Sequence, residues 1–163
     1  MVVDRFSDAN SNRPIGFRPS PVLVVDDHPA NRWVLGKLLE RLGIDCRFAS
    51  DGTEAIAVAG MRRWGAFLMD IEMRRLDGDQ AARQLRKLSP SLACAPIIAV
   101  TSLPVPEAIK RCRRAGIDGL VSKPVAIKAL ESQLRTHAGH LFVDPYRSPH
   151  QRPRTRRKRT MPA

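Results

Sequence analysis

Short apolar runs alternate along the chain with longer stretches in which apolar residues recur every three or four positions. Val22-Leu23-Val24-Val25 is unbroken and β-branched, the mark of a strand covered on both faces. Residues 30–42 follow with Val34, Leu35, Leu38, Leu39 and Leu42 at helical spacing, and Gly43 is placed to stop that helix. Cys46 to Ala49 reads as a weaker second strand. Asp51 is a candidate N-cap with Glu54 three residues on, a capping-box spacing that opens an Ala-rich helix to about residue 62. Ala66 to Met69 is a third run, ending on Asp70; residues 78–88 then put Ala81, Leu85 and Leu88 on one stripe. Pro96 to Val100 is a fourth run ending on Thr101, followed by a helical stretch over 105–115 that stops at Gly116. Leu120 to Ser122 makes the fifth strand, and residues 126–136 the last helix, with Ile127, Leu130 and Leu134 inward.

Each crossover is long enough for a parallel βαβ unit, so the expected fold is an α/β parallel sheet with helices on both faces. The expected domain covers residues 21–137. Residues 1–20 read as a flexible leader, and residues 138–163 as a basic, disordered tail that is too charged and Pro-broken to bury a core.

Composition narrows the function classes. The 163 residues are 43% apolar and only 5% aromatic, which suits a core of Val, Ile, Leu and Ala. Three cysteines, Cys46, Cys94 and Cys112, include no CxxC and read as reduced thiols in a cytoplasmic protein. Residues 88–106 lack charge but are broken by Pro90, Pro96, Pro104 and Pro106, so no membrane span is expected. The net charge of +12 is mostly a tail property: residues 147–159 hold seven Lys/Arg and no acid.

In a parallel sheet of this kind, sites form outside the carboxyl ends of the strands. Here the first strand ends in Asp26-Asp27, the third in Asp70, the fourth in Thr101 and the fifth in Ser122-Lys123-Pro124. Three converging carboxylates repel one another unless a cation sits among them. Few carboxylates with room for water and phosphate suit Mg²⁺, and a lysine and hydroxyl opposite suit anionic oxygens. Together they make a phosphoryl-transfer site.

As a set, the segments 22–27, Leu68 to Met73 with Asp77-Gly78, 96–101, Ala115-Gly116 and Ser122-Lys123-Pro124 resemble the receiver domain of two-component response regulators. Asn31-Arg32 and Asp51 to Ala55 match as well. The resemblance implies a flavodoxin-like (βα)5 fold, doubly wound, with strand order 2-1-3-4-5. It also implies that Asp70 accepts a phosphoryl group from a histidine kinase or histidine phosphotransfer protein. Asp70 itself and Asp27 would ligate Mg²⁺, Asp27 directly, with Asp26 acting through water and Glu72 through its main-chain carbonyl. Thr101 and Lys123 would hold phosphoryl oxygens, and Pro124 would follow a cis peptide bond. A stand-alone receiver of this kind is a signalling protein, with at most slow self-catalysed phosphorylation and dephosphorylation. It would act on a downstream protein through the face formed by the fourth helix, fifth strand and fifth helix.

Three positions depart from the family pattern. Arg74, with Arg75 beside it, stands where proline is usual, and reads either as solvated loop charge or as attraction for phosphate or an acidic partner. Leu120 replaces the usual Tyr or Phe switch residue, and Ser102 the commoner Ala. Trp33 and Trp64 read as anchors against the domain surface, His28 as a solvent-facing loop residue, and Cys112 either as a buried thiol or as one activated by neighbouring cations. A competing function is a binding module whose tail, Arg156-Arg157-Lys158-Arg159, contacts nucleic acid or another acidic surface weakly, with little phosphorylation switching. A hydrolase using Asp70 as nucleophile fits less well, because no insertion is long enough for a cap.

Overall fold

A computed structural model describes residues 20–142. Five strands, β1 (Val22–Val25), β2 (Cys46–Ala49), β3 (Ala66–Met69), β4 (Ile97–Thr101) and β5 (Gly119–Ser122), form one parallel sheet in the order β2-β1-β3-β4-β5. Five helices connect and follow them: α1 (Pro29–Arg41), α2 (Gly52–Ala59), α3 (Gly78–Leu88), α4 (Val105–Ala115) and α5 (Ile127–His137). This is the flavodoxin-like α/β fold and strand order that the resemblance implies.

The alternation of side chains along each strand divides the core into two layers. Leu23, Val25, Phe67, Met69, Ile97 and Ala99 pack against the small residues of α2, α3 and α4, among them Ala55, Ala81, Ala82 and Ala108. Val22, Val24, Leu68, Ile98, Val100 and Val121 face the other way, onto Leu35, Leu39, Leu130 and Leu134 of α1 and α5. With both faces covered, the central strands are continuous apolar runs, which is why their pattern is not alternating.

Local signals hold where they have a mechanism. The Asp51 carboxylate accepts from the Glu54 N–H at 2.9 Å and caps α2, while Glu54 returns to the Ser50 N–H and hydroxyl rather than to Asp51. Gly43 and Gly116 end α1 and α4 with left-handed φ of 71° and 68°.

Two elements lie outside the expectation. A helical turn over Pro90–Ala93, capped by the Ser89 hydroxyl, carries no periodic signal because it is a single turn. The domain also does not end at residue 137. A 3₁₀ turn over Gly139–Phe142 buries Leu141 against the α1/α5 layer, and burying a leucine is worth roughly 2 kcal/mol, so these residues belong to the fold. The remainder of the leader and of the tail, including Arg156, Arg157, Lys158 and Arg159, lies outside the described residues.

The tryptophans part company. Trp64 anchors as expected, donating its indole N–H to the Ala59 carbonyl at 3.1 Å beside Phe67. Trp33 does not: it lies on the outer face of α1, opposite Leu35 and Leu39, and is 60% exposed. Cys112 is buried in the core, and burial holds its thiol above the ordinary value despite the cation beside it at Arg111. The activated-thiol reading therefore fails.

Candidate functional site at the carboxyl edge of the sheet

Strand order brings the predicted residues together. β1 and β3 are neighbours in register, with Val25 opposite Met69, so Asp26 and Asp70 leave adjacent strands at the same level. Asp26, Asp27 and Asp70 each offer a carboxylate oxygen within 4.8 Å of the others. That spacing and the all-oxygen donor set fit a hard divalent cation. The Lys123 ammonium, arriving from β5, donates to Asp26 Oδ2 at 2.7 Å and to Asp70 Oδ2 at 2.6 Å.

Burial and partners set the electrostatics. Asp26 is fully buried; its Oδ1 accepts from the His28 N–H at 2.8 Å and from Asn31 Nδ2 at 3.1 Å, while Arg32 binds its carbonyl at 2.6 Å. Burial pushes the Asp70 carboxyl above its ordinary value; Lys123 pulls the other way and Asp26 adds to the rise. For Lys123, burial works against the ammonium, but the hydrogen bonds to Asp26 and Asp70 win and hold its pKa above the usual value. Three carboxylates against the one Lys123 ammonium leave the cluster with more negative charge than that lysine alone can neutralise.

The remaining predicted residues surround this cluster. Glu72 has an exposed side chain, and its backbone N–H donates to Asp70 Oδ1 at 3.3 Å, so its main chain lies beside that carboxylate. Thr101 is buried at the end of β4, its hydroxyl accepting from the Leu103 N–H at 3.2 Å and its carbonyl from the Lys123 N–H at 2.9 Å. The Lys123–Pro124 peptide bond is cis. Ser102 is exposed, whereas Leu120 is half-buried against the α2/α3/α4 layer. Gly78, at the start of α3, has no room for a side chain: a Cβ there would collide with the Asp70 carbonyl oxygen. The helix is thereby seated directly against the strand end that carries Asp70.

Two features escaped sequence reasoning. Arg74 is not simply solvated, since its backbone N–H and its Nε both donate to Asp27 Oδ2, at 3.3 and 3.2 Å. Arg111 of α4 reaches across to Asp77 at 2.8 Å and Asp79 at 2.6 Å, tying the loop after Asp70 to the helix after Thr101. Arg111 and Arg83 hold the buried Asp79 carboxyl below its ordinary value, outweighing the opposing effect of burial. Neither contact has a local pattern to announce it.

Comparison with known proteins fits this geometry. The family model for the response regulator receiver domain matches residues 22–135. The chain is 35% identical over 135 residues to the sensor histidine kinase RcsC of Salmonella typhi, covering 83% of this chain and 13% of that protein. It is 36% identical to ethylene receptor 2 of Arabidopsis thaliana over 126 residues, 73% of this chain and 16% of that one. It thus spans less than a fifth of the length of the curated relatives it matches.

Among solved structures, the receiver domain of the sensor histidine kinase PA1611 from Pseudomonas aeruginosa is 30% identical, with a TM-score of 0.69 over 75% of this chain and 99% of that one. That structure has a magnesium ion coordinated in its active-site cleft. The chemotaxis protein CheY4 of Vibrio cholerae is 27% identical, with a TM-score of 0.69 over 74% of this chain and 99% of that one. Among the described residues, no helix is long and apolar enough to cross a membrane. The strand order, the acidic edge and a family match running from β1 into α5 converge on one conclusion: this chain belongs to the response regulator receiver domains of two-component signalling.

Proposed function

We propose that Asp70 is the phosphoacceptor of a two-component phosphorelay, taking a phosphoryl group from a histidine kinase or a histidine phosphotransfer protein. The observation that carries this reading is the Asp70 carboxylate at the end of β3, bonded to Lys123 at 2.6 Å within a cluster of three acids. In the transfer, an Asp70 oxygen attacks phosphorus, the phosphorus–nitrogen bond of the donor histidine breaks, and the imidazole nitrogen leaves with the electron pair. Asp27, Asp26 through water and the Glu72 carbonyl would hold Mg²⁺. When bound, that ion offsets the charge of the clustered carboxylates and of the incoming phosphoryl group. Lys123 exchanges its hydrogen bond to Asp70 for one to a phosphoryl oxygen, and the Thr101 hydroxyl turns from the Leu103 N–H to another.

Because Thr101 sits on β4 beside β5, its movement is felt at α4, β5 and α5, where a downstream protein would dock. Leu120, lacking an aromatic ring and hydroxyl, would report that movement by packing alone, and Ser102 lines the approach of water to the acyl phosphate. The chain acts as a signalling domain, with turnover limited to slow self-catalysed phosphorylation and loss of phosphate. Three free thiols among the described residues accord with work in the cytoplasm.

The test is transfer of radiolabelled phosphate from phosphoramidate in the presence of MgCl₂. Wild-type chain should take up base-labile label, and Asp70→Asn should take up none. Equal labelling of the two would overturn the assignment.

A further inference from the structure

Arg74 occupies a position where a family member with proline would have neither a backbone N–H nor a guanidinium to offer. Here both groups point at the same atom, Asp27 Oδ2, at 3.3 Å and 3.2 Å. Asp27 is the most accessible of the three clustered acids, and it is the one an entering cation meets first. A divalent ion must take a lone pair from that carboxylate, and a guanidinium and a metal ion cannot share it at close range without mutual repulsion. The Arg74 side chain is 81% exposed, so it can leave without unmaking any packing. Its neighbour Arg75 supplies an internal contrast. It carries the same charge on the same loop, yet its guanidinium lies 3.5 Å from Asp51, the cap of α2, outside the acid cluster.

We propose that Arg74 is a displaceable counterion of the metal site. It holds Asp27 while the site lacks its cation, and the divalent cation competes it off that carboxylate. It then stands as a free guanidinium at the mouth of the site, where it draws in the anionic phosphoryl group of the donor. The competition with the cation stands independently of Asp70, whereas the donor role rests on the phosphoacceptor reading. An ion pair this exposed changes a binding constant by a factor of about two to five.

The experiment pairs calorimetric titration of the full chain by MgCl₂ with its rate of phosphorylation by phosphoramidate at saturating MgCl₂, in wild type, Arg74→Gln and Arg75→Gln. Arg74→Gln should bind Mg²⁺ about two- to five-fold more tightly and take phosphate more slowly by a similar factor. Arg75→Gln should differ from wild type by less than about 1.5-fold in both, since its guanidinium is exposed, paired with Asp51 outside the acid cluster, and screened by salt. Unchanged affinity in Arg74→Gln, or equal tightening in both variants, overturns the competition; an unchanged phosphorylation rate overturns the donor role. No phosphorylation in any form, with the Mg²⁺ shift as expected, defeats the phosphoacceptor reading and the donor role with it, while the competition is upheld.

Discussion

The sheet carries a half-sheltered cation at each end, and the two are satisfied in opposite ways. At the amino end of β4 and β5, the Arg86 guanidinium donates to the carbonyls of Leu92 at 3.1 Å, Ala93 at 3.0 Å and Gly116 at 2.9 Å, and to that of Ala95. It also meets Asp118 Oδ2 at 2.8 Å, the same oxygen that accepts from the Ile97 N–H. Its acceptors are mostly neutral carbonyls at or just beyond the ends of helical segments, and a planar fork of donors fits them. At the carboxyl end, Lys123 is a point charge between two carboxylates, with a third nearby. Arg86 satisfies its donors within the protein, whereas at the other end three carboxylates still outnumber the Lys123 ammonium and the exposed Arg74 guanidinium, leaving net negative charge that an outside cation or a proton can relieve. Satisfied hydrogen bonds are gathered at one end of the strands and uncompensated charge at the other.

Removing Arg86 should therefore have the largest effect on folding and none on the far site. Arg86→Ala removes the donor shared by four carbonyls and the Asp118 carboxylate, and should cost about 2–3 kcal/mol in urea denaturation. Its Mg²⁺ affinity, measured on the fraction still folded, should match wild type. A loss below about 0.5 kcal/mol would mean that water replaces the guanidinium fully, and the contrast between the two ends would go.

Lys123→Ala should come next, at about 1–2 kcal/mol near neutral pH, less than the 3–5 kcal/mol typical of breaking a buried pair. The reduction arises because Asp70 can take a proton instead: its carboxyl is already raised, and Lys123 is one of the groups holding it down. MgCl₂ should restore much of the lost stability in this variant, through binding to the native state alone. Without that rescue, the acid cluster is not the ion's site. In wild type the Lys123 contribution has its own window. A base with a raised native pKa stabilises fully below its ordinary value of 10.5 and loses that contribution as pH climbs through the native value.

This contrast also explains what could be read from residues alone. The strands and helices were legible because burial on two faces imposes long apolar runs and a 3.6-residue period. The acid cluster was legible because parallel topology delivers every strand's last residue to one edge, so Asp26 and Lys123, far apart in sequence, meet by rule. Arg86 was invisible: its partners are backbone carbonyls, which any residue type supplies. Arg74 and Arg111 were equally hidden, since loop and helix-surface cations have no period to say which of many acids they face. Trp33 misled because size and apolarity argue for burial, yet its place on α1, two residues from Leu35, turns it outward. Leu141 misled in reverse, a single buried residue inside a stretch whose composition speaks for solvent.

The smallest expected change carries the most informative sign. Asp70 is an acid whose native pKa is raised by burial, so folding favours its protonated form, and above that native value its charge costs stability. Asp70→Asn keeps an oxygen for Lys123 and removes the buried charge, so the variant should be more stable than wild type at pH 7, by about 1 kcal/mol or a few degrees in Tm. As pH falls through the raised native value toward the ordinary 3.8, wild-type Asp70 takes up a proton and the advantage of the asparagine should disappear. Added Mg²⁺ should also narrow the gap, by stabilising wild type more than the variant. A thermal-melt series across pH, with and without MgCl₂, checks all three statements. If Asp70→Asn melts below wild type at neutral pH, the carboxylate is a net stabilising partner of Lys123. The carboxyl end would then be as self-contained as the Arg86 end, with no surplus charge left to attract an ion.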